Sequence, residues 1–460
     1  MKAKENPQPY GAKDSPFFRC ETARNTVYWT GKEVGKMNQR ELERFDMTKK
    51  PMRTAWYLRP LTYLLSAPDV KKHGTIIRKT GAEGLKPPYL LLCNHNAFLD
   101  FKVATKAIWP DRANYIVAID GFIGREGLLR RVGCICKRKF TEDITLVRQC
   151  KRVVQNGDIL IIYPEARYSL CGTTAVLPAS LGKFCKLLGV PVVTLICHGH
   201  HIDSPFWNLH FRNVKPTEAE FTVQYTADEL KAASADEINA RLVEAFQYDE
   251  YAWQKQRNIR VTYDKRAEGL HKVLYQCPAC KTEFRMTSEG ATLFCKACGR
   301  RWRYTELGEL EAETGETEFS HIPDWYEWER ANVRKEVEAG TYDSGPLPVT
   351  VRSLPNAKKF ILLGEGTMRH DMTGFHVSGT DGDGDPFSME KSVPSMYSCH
   401  IEYEYLGKFG DCVDLNTLED TWYIYPHDCD FAVTKMALAT EELYFAFRRN
   451  EGKPCKPGLA

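Results

Sequence analysis

Between about residues 74 and 226, short apolar runs alternate with segments of helical period. The runs at 89–93 (YLLLC), 114–119 (NYIVAI), 158–163 (DILIIY) and 191–197 (PVVTLIC) are nearly unbroken in apolar residues, as strands buried on both faces are, and are predicted as strands. Helices are predicted over 99–108, 142–156 and 179–188. The pattern gives an α/β class, a mixed sheet covered by helices, in a unit placed at residues 51–260 after a polar lead-in at 1–50.

Beyond residue 226 the pattern changes. Residues 227–256 read as helical, with Asp228 and Asp236 as expected N-terminal caps. A small β ribbon is placed at 270–306 and an acidic connector at 307–340. Residues 341–450 alternate apolar and polar positions between turns and end in an amphipathic helix (FAVTKMALATEELYFAFRR). That order, several strands closed by one helix, is similar to a pleckstrin-homology-like barrel. DGDGD at 381–385 begins like a calcium loop, but Pro386 replaces the required glycine and Ser392 the bidentate glutamate, so a hairpin turn is predicted.

One early stretch, MRTAWYLRPLTYLLSAP at 52–68, sets Trp56, Tyr57, Leu61, Tyr63, Leu64 and Leu65 among Arg53, Arg59, Lys71 and Lys72. It reads either as a helix packed on the core and broken near Pro60, or as a segment lying on a membrane surface. The first 210 residues hold 33 Lys/Arg against 18 Asp/Glu, whereas the rest holds 30 against 42. A basic first half suits a phosphate-bearing ligand, an anionic membrane surface or nucleic acid.

The chain's 460 residues, 43% hydrophobic and 12% aromatic, exclude a disordered polyelectrolyte and a small disulfide scaffold. No apolar stretch reaches the roughly 18 residues of a spanning helix, and the N-terminus lacks the apolar core of a signal peptide. Sixteen cysteines, most of them among apolar residues, fit a reducing cytoplasm.

Four of those cysteines form two pairs, Cys277 with Cys280 and Cys295 with Cys298, fourteen residues apart. Two such CxxC knuckles supply four thiolates to one tetrahedral ion, so a structural Zn2+ is expected. Arg300, Arg301 and Arg303 beside Trp302 make a candidate contact patch. With nothing else suited to base readout, nucleic acid is not an expected partner, and a spacer or protein-docking role for the ribbon is preferred.

The run LLLCNHNAFLD places His95 and Asp100 five residues apart after a predicted strand. On one continuous helix their side chains would point about 140° apart, but a strand end followed by a helix start lets Asp100 turn back to His95. A carboxylate on one imidazole nitrogen fixes the tautomer and leaves the other nitrogen to accept a proton from a hydroxyl. HGHH, with His198, His200 and His201, offers a further cluster: on a strand His198 and His200 would share a face and could bind metal or line an acceptor pocket.

The ordered segments around His95 resemble the glycerolipid acyltransferase family, which includes lysophosphatidic acid and glycerol-3-phosphate acyltransferases. Asn94, His95 and Asp100 match its NHxxxxD block. VGCICKRKF, with Gly133, Lys137, Arg138 and Lys139, matches the second in part. YPEARYS matches the third through Pro164, Glu165, Arg167 and Ser169, with Ala166 where the family has glycine and with Tyr168 displacing its usual Gly-Thr-Arg-Ser spelling. GVPVVTLI, with Pro191, matches the fourth. The resemblance covers roughly residues 57–225.

The resemblance implies direct attack of an acceptor hydroxyl on an acyl thioester, with His95 as general base and Asp100 orienting it. Asn94, Lys137, Arg138, Glu165 and Arg167 are the implied substrate-binding residues, the arginines on the acceptor phosphate and Glu165 positioning the acceptor or fixing those arginines. The implied acceptor is a lysophospholipid, 1-acylglycerol-3-phosphate by default, and the donor is acyl-coenzyme A or acyl-acyl-carrier protein. After the third block this chain has Leu181 and Gly182 where many relatives have Lys-Gly, so a phosphate-assisting lysine would have to be Lys183 or be absent. The expected setting is the cytoplasm, peripheral to the inner face of a membrane, with a protein docked on the ribbon or C-terminal unit as a further expected partner.

Overall fold

The computed structural model describes residues 43–405, 409–453 and 458, so most of the expected lead-in lies outside the described residues. The first unit runs α1 (Leu58–Lys72), β1 (Ile76–Thr80), β2 (Leu90–Cys93), α2 (Leu99–Ile108), β3 (Ala113–Ala118), α3 (Glu126–Val132) and β4 (Cys134–Lys137). It continues through α4 (Ile144–Gln155), β5 (Ile159–Ile162), α5 (Leu181–Leu188), β6 (Val192–His198), α6 (His200–Asp203) and β7 (Glu218–Tyr225). The seven strands form one sheet in the order β1-β7-β6-β2-β5-β3-β4, parallel except where β6 meets β7.

Burial on both sides explains the unbroken apolar runs. Leu91, Cys93, Ile159, Ile161, Val193 and Leu195 pack against Val103, Ala104 and Leu129 of α2 and α3. Leu90, Leu92, Leu160 and Val192 meet Cys150 and Val153 of α4 and Cys185 of α5 on the other face. The centre of the sheet is β2 beside β5, flanked by β6 and β3, with the carboxyl ends of β2 and β5 next to each other. In open α/β sheets a crevice outside the carboxyl ends of such central strands is where sites are built.

Helix α1 is not broken at Pro60, which sits in its first turn where a missing N–H costs nothing. Its orientation is unusual: Thr62 and Ser66 face inward, their hydroxyls donating to backbone carbonyls of the same helix, while Leu64 faces solvent. With Trp56 and Tyr57 just before it, the segment leaves three large apolar side chains 76%, 51% and 63% exposed, in the order Trp56, Tyr57, Leu64. α1 runs antiparallel along α2, tied by Lys102 to Asp69 at one end and by Tyr63 against Trp109 at the other.

After β7 come α7 (Ala227–Ala232), α8 (Ala235–Ala245) and α9 (Glu250–Gln256). Thr226 and Ser234, not Asp228 and Asp236, cap the first two, each in a reciprocal capping box with the glutamate three residues on. Gly182 lets α5 approach α8: a Cβ there would sit 2.2 Å from the Ala235 carbonyl.

The ribbon is a four-stranded antiparallel sheet of β8 (Met286–Glu289), β9 (Thr292–Cys295), β10 (Arg301–Tyr304) and β11 (Leu310–Ala312). Half of the expected connector is helix α10 (Ile322–Glu338), which buries Trp325, Tyr326 and Val333 and so belongs to the core. Then follow β12 (Leu347–Ser353), β13 (Ile361–Asp371), β14 (Gly374–Asp381), β15 (Pro386–Ser392), β16 (His400–Glu402), β17 (Cys412–Asn416) and β18 (Thr421–Pro426), closed by α11 (Val433–Asn450). These strands make an antiparallel sheet in the order β15-β14-β13-β12-β18-β17-β16, and no ladder joins β15 to β16 among the described residues. The DGDGD segment is the β14–β15 turn, with Asp381 accepting from the Asp383 and Asp385 amides. Leu354, Tyr423 and Tyr425 of this unit lie in the same core as α2 and α3, so the C-terminal unit is packed onto the first one.

Candidate active site

The loop after β2 and the first turn of α2 bring His95 to Asp100, with His95 Nδ1 3.3 Å from Asp100 Oδ2. The turn-back expected from the sequence is achieved by the loop itself: Asp100 Oδ2 also accepts from the amides of Asn96 at 2.6 Å and Ala97 at 2.9 Å. Asp100 is fully buried, yet hydrogen bonds from His200 and His95 hold its carboxyl down at about 2 against the burial that would raise it. His95 itself is about a quarter exposed, and its Nε2 makes no hydrogen bond among the described residues.

The imidazole is sandwiched. Tyr163 and Tyr168 flank it with ring centroids at 4.2 and 4.3 Å, inclined at 33° and 38°. The displaced spelling of the third block thus has a spatial meaning: Tyr168 stands over His95, while Arg167 points away. Ala166 has φ 56, the left-handed region that favours glycine, which accounts physically for glycine in that place in the family's block.

Glu165 fixes the backbone of the site. Its Oε1 accepts from the His95 amide at 3.1 Å, its Oε2 from the Ala175 amide at 2.8 Å, and the Tyr248 hydroxyl donates to it. The Ser169 amide donates to the His95 carbonyl, so both peptide groups of His95 are held by the segment after β5. Burial raises the Glu165 carboxyl to about 8, opposed by those donors. Glu165 makes no hydrogen bond to either arginine, so its expected role there is replaced by bracing His95.

The other expected substrate-binding residues are not assembled around His95. Asn94 is fully buried, and its amide both accepts from the Cys197 N–H at 2.8 Å and donates to the Cys197 carbonyl at 2.9 Å, which pins the end of β2 to β6. Lys137 is turned toward α4, where burial lowers its pKa and Cys150 and Asp143 are its opposing neighbours. Arg138 is 1% exposed and donates to the carbonyls of Leu354, Pro355 and Glu419 and to the Thr421 hydroxyl, all in the C-terminal unit. Arg167 donates through Nη2 to Glu441 Oε1 of α11 at 2.7 Å. As the protein is folded here, neither arginine is open to an acceptor phosphate. Lys183 is exposed on α5.

Sequence reasoning missed Tyr163, Tyr168 and Tyr248, and it misplaced the histidines. The strand ends at His198, Gly199 turns in the left-handed region, and α6 begins at His200, so the two side chains do not share a strand face. His198 lies 3.4 Å from Glu250 and stacks on Trp253, whereas His200 Nδ1 lies 2.5 Å from Asp100 Oδ1. Asp100, Cys197 and His200 place ligand atoms within 4.8 Å of one another, but both Asp100 oxygens are already taken by four donors.

At the ribbon, the sulfurs of Cys277 and Cys298 are 3.7 Å apart and those of Cys280 and Cys295 3.8 Å, all four within 4.8 Å. Four sulfurs at about 2.3 Å from a tetrahedral zinc lie about 3.8 Å apart, so the donor set fits that ion. The arginine patch is neutralised: Arg300 pairs with Glu318, Arg301 with Glu313 and Arg303 with Glu311, while Trp302 is buried and donates to Glu318.

Residues 70–198 match the family model described as acyltransferase, and that stretch contains His95, Asp100, Glu165 and the strands that carry them. The match marks an acyltransferase domain within the first unit. A solved structure similar to this chain is that of the 1-acyl-sn-glycerophosphate (LPA) acyltransferase PlsC from Thermotoga maritima, 16% identical over 41% of this chain and 80% of that one, with a TM-score of 0.31. No curated protein matches.

Proposed function

We propose that this chain is an O-acyltransferase that esterifies the hydroxyl of a lysophospholipid, with 1-acylglycerol-3-phosphate as the reference acceptor. The observation that carries the proposal is the His95–Asp100 pair: a buried carboxylate on Nδ1 and an unbonded Nε2 on an imidazole that is partly exposed. Nε2 takes the proton of the acceptor hydroxyl as its oxygen attacks the carbonyl carbon of the acyl thioester. The C–S bond then breaks and His95 returns the proton to the thiolate of coenzyme A or acyl carrier protein. Base catalysis of this kind contributes about 10² to 10⁴ in rate. The four ribbon thiolates hold a structural Zn2+, and the outward apolar side chains Trp56, Tyr57 and Leu64 support association with the cytoplasmic face of a membrane.

The test is mass-spectrometric detection of diacyl product from purified protein given several lysophospholipids, a monoacylglycerol and both thioester donors, beside His95→Ala. Product that disappears in the variant supports the reading, and its acceptor profile identifies the substrate. Absence of product with every pair, from folded protein, would overturn it.

A second reading, a non-catalytic lipid- or membrane-binding scaffold, is favoured by one observation: Arg138 and Arg167 are both occupied by the C-terminal unit. It expects lipid binding without turnover. A phosphate acceptor reaches those arginines only if the C-terminal unit moves, whereas an acceptor without phosphate needs no such movement.

A further inference from the structure

Asp100 serves two imidazoles. Its Oδ2 takes His95 Nδ1 and two loop amides, and its Oδ1 takes His200 Nδ1 at 2.5 Å, the shortest of these contacts. His200 and Asp100 are both completely buried, and His200 Nε2 has no hydrogen-bond partner among the described residues. A histidine in this position with one bare nitrogen is explained by what the other nitrogen holds. Its place is set by Gly199, where a Cβ would meet the Trp253 ring at 2.8 Å, and by Glu250, which accepts from the Gly199 and His201 amides at the start of α6.

We propose that His200 is a positioning residue for the base: by donating to Oδ1 it keeps Asp100 ionised and fixed, so that Oδ2 receives the Nδ1–H of His95 and Nε2 stays free to accept a proton. This rests on the acyl-transfer reading above for its consequence in catalysis, but not for its geometry. Without His200, Oδ1 is a buried anionic oxygen with no donor, which favours the neutral acid. A neutral Asp100 no longer demands the Nδ1–H, so His95 loses the preference for the tautomer that leaves Nε2 as acceptor. The ionisable groups facing Asp100 are His95, His200 and the thiols of Cys93 on β2 and Cys197 on β6, with Tyr163 beyond them. Burial holds both thiols neutral, so the two imidazoles are the partners that decide its charge.

The experiment is 15N NMR of histidine-labelled full-length protein, which reads the His95 tautomer without any substrate, together with kcat and KM on the best acceptor found. Wild type is expected to carry the His95 proton on Nδ1. His200→Ala is expected to shift it toward Nε2 and to lower kcat about 10- to 100-fold with KM within twofold. His200→Asn, whose amide nitrogen stands where Nδ1 was, restores both, and His200→Gln does not. An unchanged His95 tautomer in folded His200→Ala overturns the proposal. Should His200→Ala not fold, Asn against Gln carries the comparison, and equal tautomers in those two overturn it. Protein that turns over no acceptor, yet shows the tautomer shift, leaves this proposal standing and removes the acyl-transfer reading instead.

Discussion

Arg167 Nη2 donates to Glu441 Oε1 at 2.7 Å, which joins the segment that braces His95 to the last helix of the chain, 274 residues away. Glu441 is fully buried and also receives Arg330 Nη1 at 2.6 Å and the Ser398 hydroxyl at 2.7 Å. The surrounding arginines hold its carboxyl low despite burial. The C-terminal unit in this way holds the segment that braces His95, without placing a residue of its own, among those described, beside the imidazole.

Removing one member of such a buried pair leaves an uncompensated charge, so Glu441→Gln is expected to destabilise the protein by about 3–5 kcal/mol. Urea unfolding measures it. The double variant Glu441→Leu with Arg167→Met should recover part of the loss, and a midpoint unmoved by Glu441→Gln would show that the pair does not hold the two units together.

Glu165 gives a pH signature. Its carboxyl is raised from 4.5 to about 8 in the folded state, so between those values the folded protein keeps a proton that the unfolded chain has released. Stability from this group is therefore full below about pH 4.5 and declines as pH rises toward 8, by at most about 1.4 kcal/mol per pH unit. Asp100 acts in the opposite sense, its contribution being lost only as pH falls toward about 2. Between pH 5 and 8 the unfolding free energy of wild type should fall relative to that of Glu165→Gln, whose neutral amide does not titrate; parallel lines at pH 5, 6.5 and 8 would refute the assignment.

The strands of the parallel core and the pairing of His95 with Asp100 were legible because they are local: an unbroken apolar run marks a strand buried on both faces, and five residues span one strand-to-helix turn. The arginines were not legible. Arg138 and Arg167 take partners that are 216 to 283 residues away in sequence, and no spacing rule reports a contact of that kind. The acidic connector misled because two of its charges are buried with Trp325, Tyr326 and Val333: Glu329 accepts from the Gln276 amide and Arg330 donates to Glu441, partners that lie outside the segment. His200 was misplaced because Gly199 ends the strand one residue before it.

At position 166 the backbone sits at φ 56 with a side chain that disfavours it. Relief of about 1–2 kcal/mol of strain, set against the greater freedom of glycine in the unfolded chain, makes Ala166→Gly neutral to about 1 kcal/mol stabilising. Ala166→Val should cost more than about 1 kcal/mol, since a β-branched residue tolerates that region least. The order Gly, Ala, Val in melting temperature is the check, and Val equal to Ala would contradict the strained geometry.

Metal removal has a local readout. Trp302 of β10, the strand that follows the second cysteine pair, and Trp325 of α10 are both buried with ring centroids 4.9 Å apart. One zinc per chain by native mass spectrometry is the expected stoichiometry, and a strong chelator, or Cys280→Ser with Cys298→Ser, should remove it and alter tryptophan emission and near-ultraviolet dichroism. Emission unchanged after verified metal loss would mean that the sheet stands without the ion.

Helix α1 offers the sharpest test of membrane association, because its exposed apolar residues are not needed for the fold. Trp56 and Leu64 are 76% and 63% exposed, and Lys71 and Lys72, both exposed, close the helix. Burying one such apolar side chain in the interfacial region is worth about 1.5–3 kcal/mol, and each lysine near an anionic surface about 1 kcal/mol. Trp56→Glu with Leu64→Glu should therefore weaken binding to phosphatidylglycerol-containing vesicles by at least tenfold at every salt concentration, with an unchanged melting temperature. Lys71→Gln with Lys72→Gln should weaken it only at low salt, since the screening length falls from about 30 Å at 0.01 M to about 8 Å at 0.15 M. Vesicle binding indifferent to both pairs would assign the outward apolar stripe to some other surface and leave the protein without a membrane contact on this helix.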